Sequence, residues 1–285
     1  MKVAVIGVGA MGEWLAGFAK RNLGEVVVAD INAAKAWEVA KKLDVNSKPI
    51  AEATSEAELV LVAVPISKTP EVVKSAAGNA REGALLADVA SVKSEIVEVM
   101  RGLGAKLELV SLHPLFGPGA TDVRGKDFVA VPVKPGERYS ELKKRLGELG
   151  ARVTEMEAEE HDQLMAISQC MTHFVLISYL EAIKSMKDLK KAGKFCTPLF
   201  ASLLDLAKAV LAGNPELYGE LQVYNKYARV VRSSLMEACR SLDVALSARN
   251  VKRVQAIFER ALEPWGMAEA KKAYQKLYER FEGNP

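Results

Sequence analysis

The sequence predicts an α/β protein in two parts, a doubly wound parallel sheet over residues 1–156 and an all-helical domain over residues 157–285. Up to about residue 155, short β-branched runs alternate with helix-length amphipathic stretches, the pattern of a parallel sheet wrapped by helices. Beyond that point no strand run remains and the chain reads as long helices. At 285 residues it is also longer than one core comfortably fills.

In chain order, the first strand is Val3–Ile6, followed at once by Gly7-Val8-Gly9-Ala10-Met11-Gly12 and a helix running through Trp14, Leu15 and Phe18. This GxGxxG sits in the context that gives it meaning. Gly7 permits the tight turn, Gly9 lets backbone approach a pyrophosphate, and Gly12 allows close helix–strand packing, while the helix N-terminus offers free N–H groups and a positive dipole. The second strand, Val26–Asp30, ends on an acid 18 residues after Gly12, placed to accept hydrogen bonds from adenine ribose hydroxyls and to repel a 2′-phosphate. The domain is therefore read as Rossmann-type, with NAD preferred over NADP. Ala10, Met11, Val64 and Pro65 complete the predicted cofactor set.

The remaining predicted strands are Leu59–Val64, Ala84–Val89, Leu107–Leu112, Phe128–Val133 and Arg152–Met156, with amphipathic helical segments such as Pro70–Ala80 and Tyr139–Leu149 between them. The second half is predicted as helices over Glu159–Lys187, Pro198–Leu211, Pro215–Arg249 and Val251–Phe281, with breaks at Gly193, Gly213-Asn214-Pro215 and Arg249-Asn250.

Composition narrows the function classes. The net charge of +3 is spread along the chain, with no basic block interleaved with aromatics, so a small anionic partner is expected rather than nucleic acid. Cys170, Cys196 and Cys239 are odd in number, far apart and in no CxxC pair, which argues for reduced thiols and against a disulfide framework or cysteine metal site. The opening residues carry one lysine and a short apolar run broken by glycines, so neither a signal peptide nor a membrane span is expected, and a cytoplasmic location is.

Only three histidines are present. His113 lies in Ser111-Leu112-His113-Pro114-Leu115-Phe116-Gly117-Pro118, at the C-terminal end of a predicted strand, where open α/β sheets expose their ligand crevice. His161 precedes Asp162 at the start of the first long helix, and His173 lies twelve residues on. HxxxH spacing is absent, and no metal is proposed. Taken singly, His113 could shape a proline-rich loop, His161 could be a helix-start surface residue, and His173 a core histidine.

Several segments together resemble the successive motifs of prephenate/arogenate dehydrogenases: Asp88-Val89-Ala90-Ser91-Val92-Lys93, His113-Pro114-Leu115-Phe116-Gly117-Pro118, Glu160-His161-Asp162, Met165-Ala166, Thr172-His173-Phe174 and Asn214-Pro215-Glu216-Leu217-Tyr218. The resemblance covers nearly the whole chain in order. It implies a Rossmann domain followed by a helical domain through which two subunits dimerise. It also implies NAD(P)-linked oxidative decarboxylation of prephenate to 4-hydroxyphenylpyruvate, or of arogenate to tyrosine, in tyrosine biosynthesis. His113 resembles the family's catalytic histidine, whose neutral ring takes the substrate hydroxyl proton as hydride departs. Ser91 resembles the serine that hydrogen-bonds the histidine, the substrate hydroxyl or the nicotinamide, and His161 and His173 match positions near the substrate pocket.

One position departs from the family. Its members usually carry an arginine six residues before the proline of the NPxLY-like segment, gripping a substrate carboxylate, and Ala209 stands there. Lys208, Arg124 and Lys93 are the candidate replacement cations, each with a solvated surface charge as the plain alternative. Two other readings compete: a β-hydroxyacid-type dehydrogenase, whose openings can also read GxGxMG but whose lysine-bearing signature is not found after residue 157, and a non-catalytic NAD-binding regulator on the same scaffold.

Overall fold

The computed structural model describes residues 1–104, 106–187, 191 and 194–282. They fall into two compact units, Met1–Met165 with Gly219–Lys226, and Ala166–Tyr218 with Tyr227 to the C-terminus.

The first unit runs β1 (Lys2–Ile6), α1 (Ala10–Asn22), β2 (Glu25–Ala29), α2 (Ala33–Leu43), β3 (Asn46–Ser47), α3 (Ile50–Glu56), β4 (Leu59–Val62), a 3-10 turn (Ile66–Lys68), α4 (Thr69–Asn79), β5 (Leu85–Asp88), α5 (Ser94–Arg101), β6 (Glu108–Pro114), β7 (Asp127–Lys134), α6 (Glu137–Glu148), β8 (Arg152–Glu155) and α7 (Ala158–Met165). The strand order is β3-β2-β1-β4-β5-β6-β7-β8. Its first six positions are the doubly wound dinucleotide-binding order, which reverses between β1 and β4 and leaves a crevice there.

Two corrections to the predicted sheet arise here. The two-residue β3 pairs with β2 but is too short to leave a periodic signal. β7 runs antiparallel to β6 and β8 parallel to β7, so the last two strands oppose the rest of an otherwise parallel sheet. The β6–β7 connection is a loop, and antiparallel neighbours need no crossover helix.

The period-2 alternation of each strand divides the core. Val3 and Val5 of β1 pack with Val28, Leu61, Ala87, Val110 and Leu112 on the α1, α2 and α6 side, while Ala4 and Ile6 join Val27, Val60, Val62, Leu86 and Leu109 on the other. Strands covered on both faces read as continuous apolar runs, which is why they were visible in the sequence. Helix ends follow local chemistry. Asn32 caps α2 by accepting from the Lys35 N–H at 3.1 Å, and α1 carries Glu13 in its first turn and Lys20 and Arg21 in its last, in accord with the helix dipole.

The second unit is helical, with a π-helical turn at Ala166–Met171, then Thr172–Lys184, Pro198–Leu211, Pro215–Tyr224 up to Tyr218, Ala228–Ser247, Val251–Leu262 and Gly266–Glu282. The Pro198–Leu211 prediction matches, capped by Thr197 Oγ1, which accepts from the Phe200 N–H. Two predicted long helices are each divided. Pro215–Arg249 breaks at Asn225-Lys226-Tyr227, and Val251–Phe281 breaks before Gly266, which has φ +74° and follows Pro264 and Trp265. The break expected at Gly193 lies outside the described residues.

Candidate active site

The C-terminal ends of β1, β4, β5 and β6 lie along one edge of the sheet, and the chemistry-bearing segments follow them. After β1, Gly7 takes φ +92°, a conformation open to glycine, and a Cβ there would come within 2.5 Å of the Ala63 carbonyl oxygen. A Cβ on Gly12 would overlap the Gly7 carbonyl oxygen at 1.9 Å, so this glycine is what lets α1 start against the loop. Gly9 differs: a Cβ there would meet no protein atom within 4 Å. The protein therefore leaves space in front of Gly9, beside the N-terminus of α1, and a pyrophosphate fits that cradle on geometry and dipole.

Asp30 lies just past β2 and is half-buried. Its Oδ2 accepts the Val8 N–H at 2.8 Å and its Oδ1 the Asn32 N–H at 2.9 Å. The carboxylate thus braces the glycine loop and keeps lone pairs for ribose hydroxyls. Val64 and Pro65 follow β4, with Val64 Cγ1 against Gly7, and the next turn is held by Glu220, whose carboxylate accepts the Ile66 and Ser67 N–H groups at 2.7 and 3.2 Å.

β6 extends beyond its neighbour. Asp88, the last residue of β5, pairs with Ser111, so Leu112, His113 and Pro114 extend past the end of β5, paired on their other side with β7. His113 is 3% exposed and its Nδ1 is 2.8 Å from His161 Nε2. His161 Nδ1 is in turn 2.8 Å from Asp162 Oδ1, and both residues are fully buried. Asp162 accepts the Lys93 and Ser94 N–H groups at 2.8 Å each and the Ser94 hydroxyl at 2.5 Å, capping α5 from 68 residues away. Asn225 Nδ2 donates to the Asp162 carbonyl at 2.8 Å.

Electrostatics follow from this burial. Desolvation, with the Lys93 ammonium and the neighbouring His161 adding to it, holds His113 well below the ordinary histidine value. Desolvation also lowers His161, against the pull of Asp162. Burial pushes the Asp162 carboxyl up, but the hydrogen bonds from His161, Ser94 and Lys93 outweigh it and the net shift is downward.

Several predicted site residues are placed differently. Lys93, a candidate substrate-binding cation, is fully buried, with Nζ donating to Asp88 Oδ1 at 3.1 Å and to the Leu112 carbonyl at 2.5 Å. It ties the end of β5 to the residue before His113 rather than standing as an exposed cation. His161, also predicted to touch substrate, has both ring nitrogens engaged by His113 and Asp162. Ser91 is half-buried in the turn after β5, and among the described residues no hydrogen bond joins it to His113. Arg124 is exposed in the β6–β7 loop, which Trp14 of α1 pins by donating from Nε1 to the Ala120 carbonyl at 2.6 Å and packing edge-on to Phe116.

In the second unit, His173 stacks edge-on to Tyr218 with ring centroids 4.7 Å apart, and its buried Nδ1 finds no hydrogen-bond partner among the described residues. Lys208 and Ala209 are both exposed on helix Pro198–Leu211. Sequence reasoning missed the supporting partners Asp162, Ser94, Asp88, Glu220 and Asn225. The runs Glu160-His161-Asp162 and Asp88 to Lys93 contained Asp162 and Asp88, and nothing local marked Ser94, Glu220 or Asn225.

Residues 15–154 match the family model described as the nucleotide-binding domain of prephenate dehydrogenase, and residues 157–260 match its dimerization domain. A probable arogenate/prephenate dehydrogenase of Methanocaldococcus jannaschii is 27% identical over 281 residues, covering 96% of this chain and 63% of its own length. A 4-amino-4-deoxyprephenate dehydrogenase of Streptomyces pristinaespiralis is 30% identical over 261 residues, covering 90% and 88%. The fold is shared with the Aquifex aeolicus prephenate dehydrogenase solved with hydroxyphenyl propionate and NAD+, at a TM-score of 0.75 and 20% identity over 92% of this chain and 96% of that one. From residue 15 to residue 260, with its nucleotide-binding and dimerization segments in order, this chain belongs to the prephenate dehydrogenase family.

Proposed function

We propose that the chain is an NAD-dependent dehydrogenase that decarboxylates prephenate to 4-hydroxyphenylpyruvate, or arogenate to tyrosine, as a step of tyrosine biosynthesis. The observation that carries this reading is a neutral histidine, His113, at the projecting end of β6 on the same sheet edge as the Gly9 cradle. The two lie three strands apart, about 14 Å at the usual strand spacing. Gly7, Gly9 and Gly12 with the N-terminus of α1 would hold the pyrophosphate, and Asp30 the adenine ribose. Bound NAD supplies the hydride acceptor.

The protein's own contribution begins at His113. Its uncharged ring takes the proton of the substrate hydroxyl as hydride leaves the same carbon, while carbon dioxide departs and the ring becomes aromatic. The predicted substrate role of His173, whose buried Nδ1 finds no hydrogen-bond partner among the described residues, stays part of this proposal. Lys208 and Arg124 remain as cations for its carboxylates, Lys93 being buried.

A second substrate reading is favoured by the Streptomyces relative: a cyclohexadiene carrying an amine where prephenate has its hydroxyl. The experiment is a comparison of kcat/KM for prephenate, arogenate and 4-amino-4-deoxyprephenate, each with NAD and NADP. Turnover of none of the three would overturn the proposal. NAD should bind at least about tenfold more tightly than NADP, about 1.4 kcal/mol, and Asp30→Ala should narrow that gap. Equal affinities in the unmodified protein would remove Asp30 as the discriminator.

The functional unit is proposed to be a cytoplasmic homodimer joined through the helical half. None of the 13 residues of Thr172–Lys184 and none of the 12 of Val251–Leu262 is buried, despite Ile177 and Phe258 on their surfaces. The run Ala158–Lys184 is long and apolar enough to cross a membrane. The dimerization-domain match favours a second copy as what covers it.

A further inference from the structure

We infer that Asp162 sets the tautomers of both buried histidines, which makes His161 a positioning residue and Nε2 of His113 the atom that receives the substrate proton. This inference rests on the dehydrogenase reading only for what the proton is used for.

The argument starts at the carboxylate. Asp162 accepts two backbone N–H groups and the Ser94 hydroxyl from the first turn of α5. A group surrounded by donors in this way is held as the anion and has no proton to give. At 2.8 Å, His161 Nδ1 must therefore be the donor to Asp162 Oδ1. A neutral imidazole carries one N–H, so His161 Nε2 is an acceptor. His113 Nδ1, 2.8 Å away, must then donate to it, because the opposite tautomer would set two lone pairs face to face. A neutral His113 with its proton on Nδ1 carries its lone pair on Nε2. Both rings are kept neutral by burial, at 3% and 0% exposure, and the Lys93 ammonium disfavours a second positive charge nearby.

The proton balance is simple. The substrate O–H bond breaks and an Nε2–H bond forms, making His113 an imidazolium. Its Nδ1–H stays in place, hydrogen-bonded to His161, and Asp162 stabilises the cation at one remove without being protonated. A carboxylate that fixes a histidine tautomer and then supports the imidazolium acts in this way in other enzymes.

The test uses the full chain labelled with 15N-histidine, in which only three imidazoles contribute signals. Long-range 1H–15N correlation at neutral pH should show His113 and His161 each protonated at Nδ1 and bare at Nε2, with His161→Leu and His173→Gln assigning the peaks. Kinetics supply a second arm. His161→Leu should lower kcat at least tenfold with the NAD dissociation constant unchanged. His161→Gln should recover part of the loss, because an amide can donate to Asp162 and accept from His113, whereas space-filling alone would favour the leucine. An Nε2–H signal at His113, or equal kcat in the leucine variant, overturns the inference. If the tautomers are found as stated but none of the substrates turns over, the inference stands and the dehydrogenase reading fails. Normal turnover with His113 protonated at Nε2 rejects the inference alone.

Discussion

In the proposed reaction His113 is a base only while its ring is neutral, so the surroundings of that ring would set the acid limit of activity. His161 faces its Nδ1, and the Lys93 ammonium lies beneath it, bonded to the Leu112 carbonyl. With the pKa depressed, the ring stays unprotonated as pH falls past 6.5, the ordinary histidine value. The acid limb of kcat/KM should therefore lie below 6.5, and a half-activity point at or above 6.5 would contradict this placement. His113→Asn should lower turnover by ~10²–10⁴ while leaving NAD affinity nearly unchanged. The same shifts are stability statements. Histidines neutral in the fold but titrating near 6.5 when unfolded add stability that is present above that pH and lost as pH falls below it. Lys93 belongs to stability as well. Lys93→Met would leave Asp88 buried and unpaired, at a cost of about 3–5 kcal/mol. Urea unfolding that shows a loss under about 1 kcal/mol would return Lys93 to the candidate anion binders.

At the scale of elements, Gly9 in the turn after β1 and Gly12 in the first turn of α1 have different physical duties. Gly12 is where α1 meets the loop backbone, so Gly12→Ala should disturb the fold itself, seen as a lowered Tm together with lost nucleotide binding. Gly9 has φ −64° and ψ −177°, which any residue adopts, and open space beside it. Gly9→Ala should leave Tm within about 2 °C, since a methyl group that meets no protein atom costs well under 1 kcal/mol, yet weaken NAD binding more than tenfold by occupying the phosphate cradle. Unchanged NAD affinity would show that the cradle holds something else. This difference was half legible beforehand: the spacing identified the motif, but the neighbours of each glycine decide which substitution is structural.

For the whole molecule, the proposed dimer rests on the helical half. Large apolar side chains such as Leu199, Leu206, Val230, Phe258 and Trp265 are each more than half exposed, side chains that a second subunit would cover in the proposed dimer. Sedimentation at micromolar concentration should give twice the 30.9 kDa chain mass. A monomer would send the search to another occupant. The charge question also belongs to this scale, because in the proposed dimer a replacement for the missing arginine can come from either subunit. Lys208→Ala or Arg124→Ala should raise KM for the carboxylate substrate more than it lowers kcat, as expected when uniform binding is lost. KM unmoved by either change would point to a cation outside this pair.

By itself the sequence determined the strand-turn-helix around Gly7 to Gly12, the apolar strands β1, β2 and β4 to β7, the change to helices after residue 157 and the placing of His113 at a strand end. All of these rest on local spacing: a strand covered on both faces must be apolar, a tight turn needs glycine, and residue order carries both. The tertiary structure alone decided that β7 turns back along β6, that Lys93 is buried although charged residues ordinarily lie outside, and that His161 Nε2 faces His113 Nδ1. It also brought Asp162 to the start of α5 and Glu220 to Ile66, 154 residues away. Such partners are chosen by how packed elements meet. The donors and acceptors that satisfy one another lie far apart in the chain, and no periodicity links them.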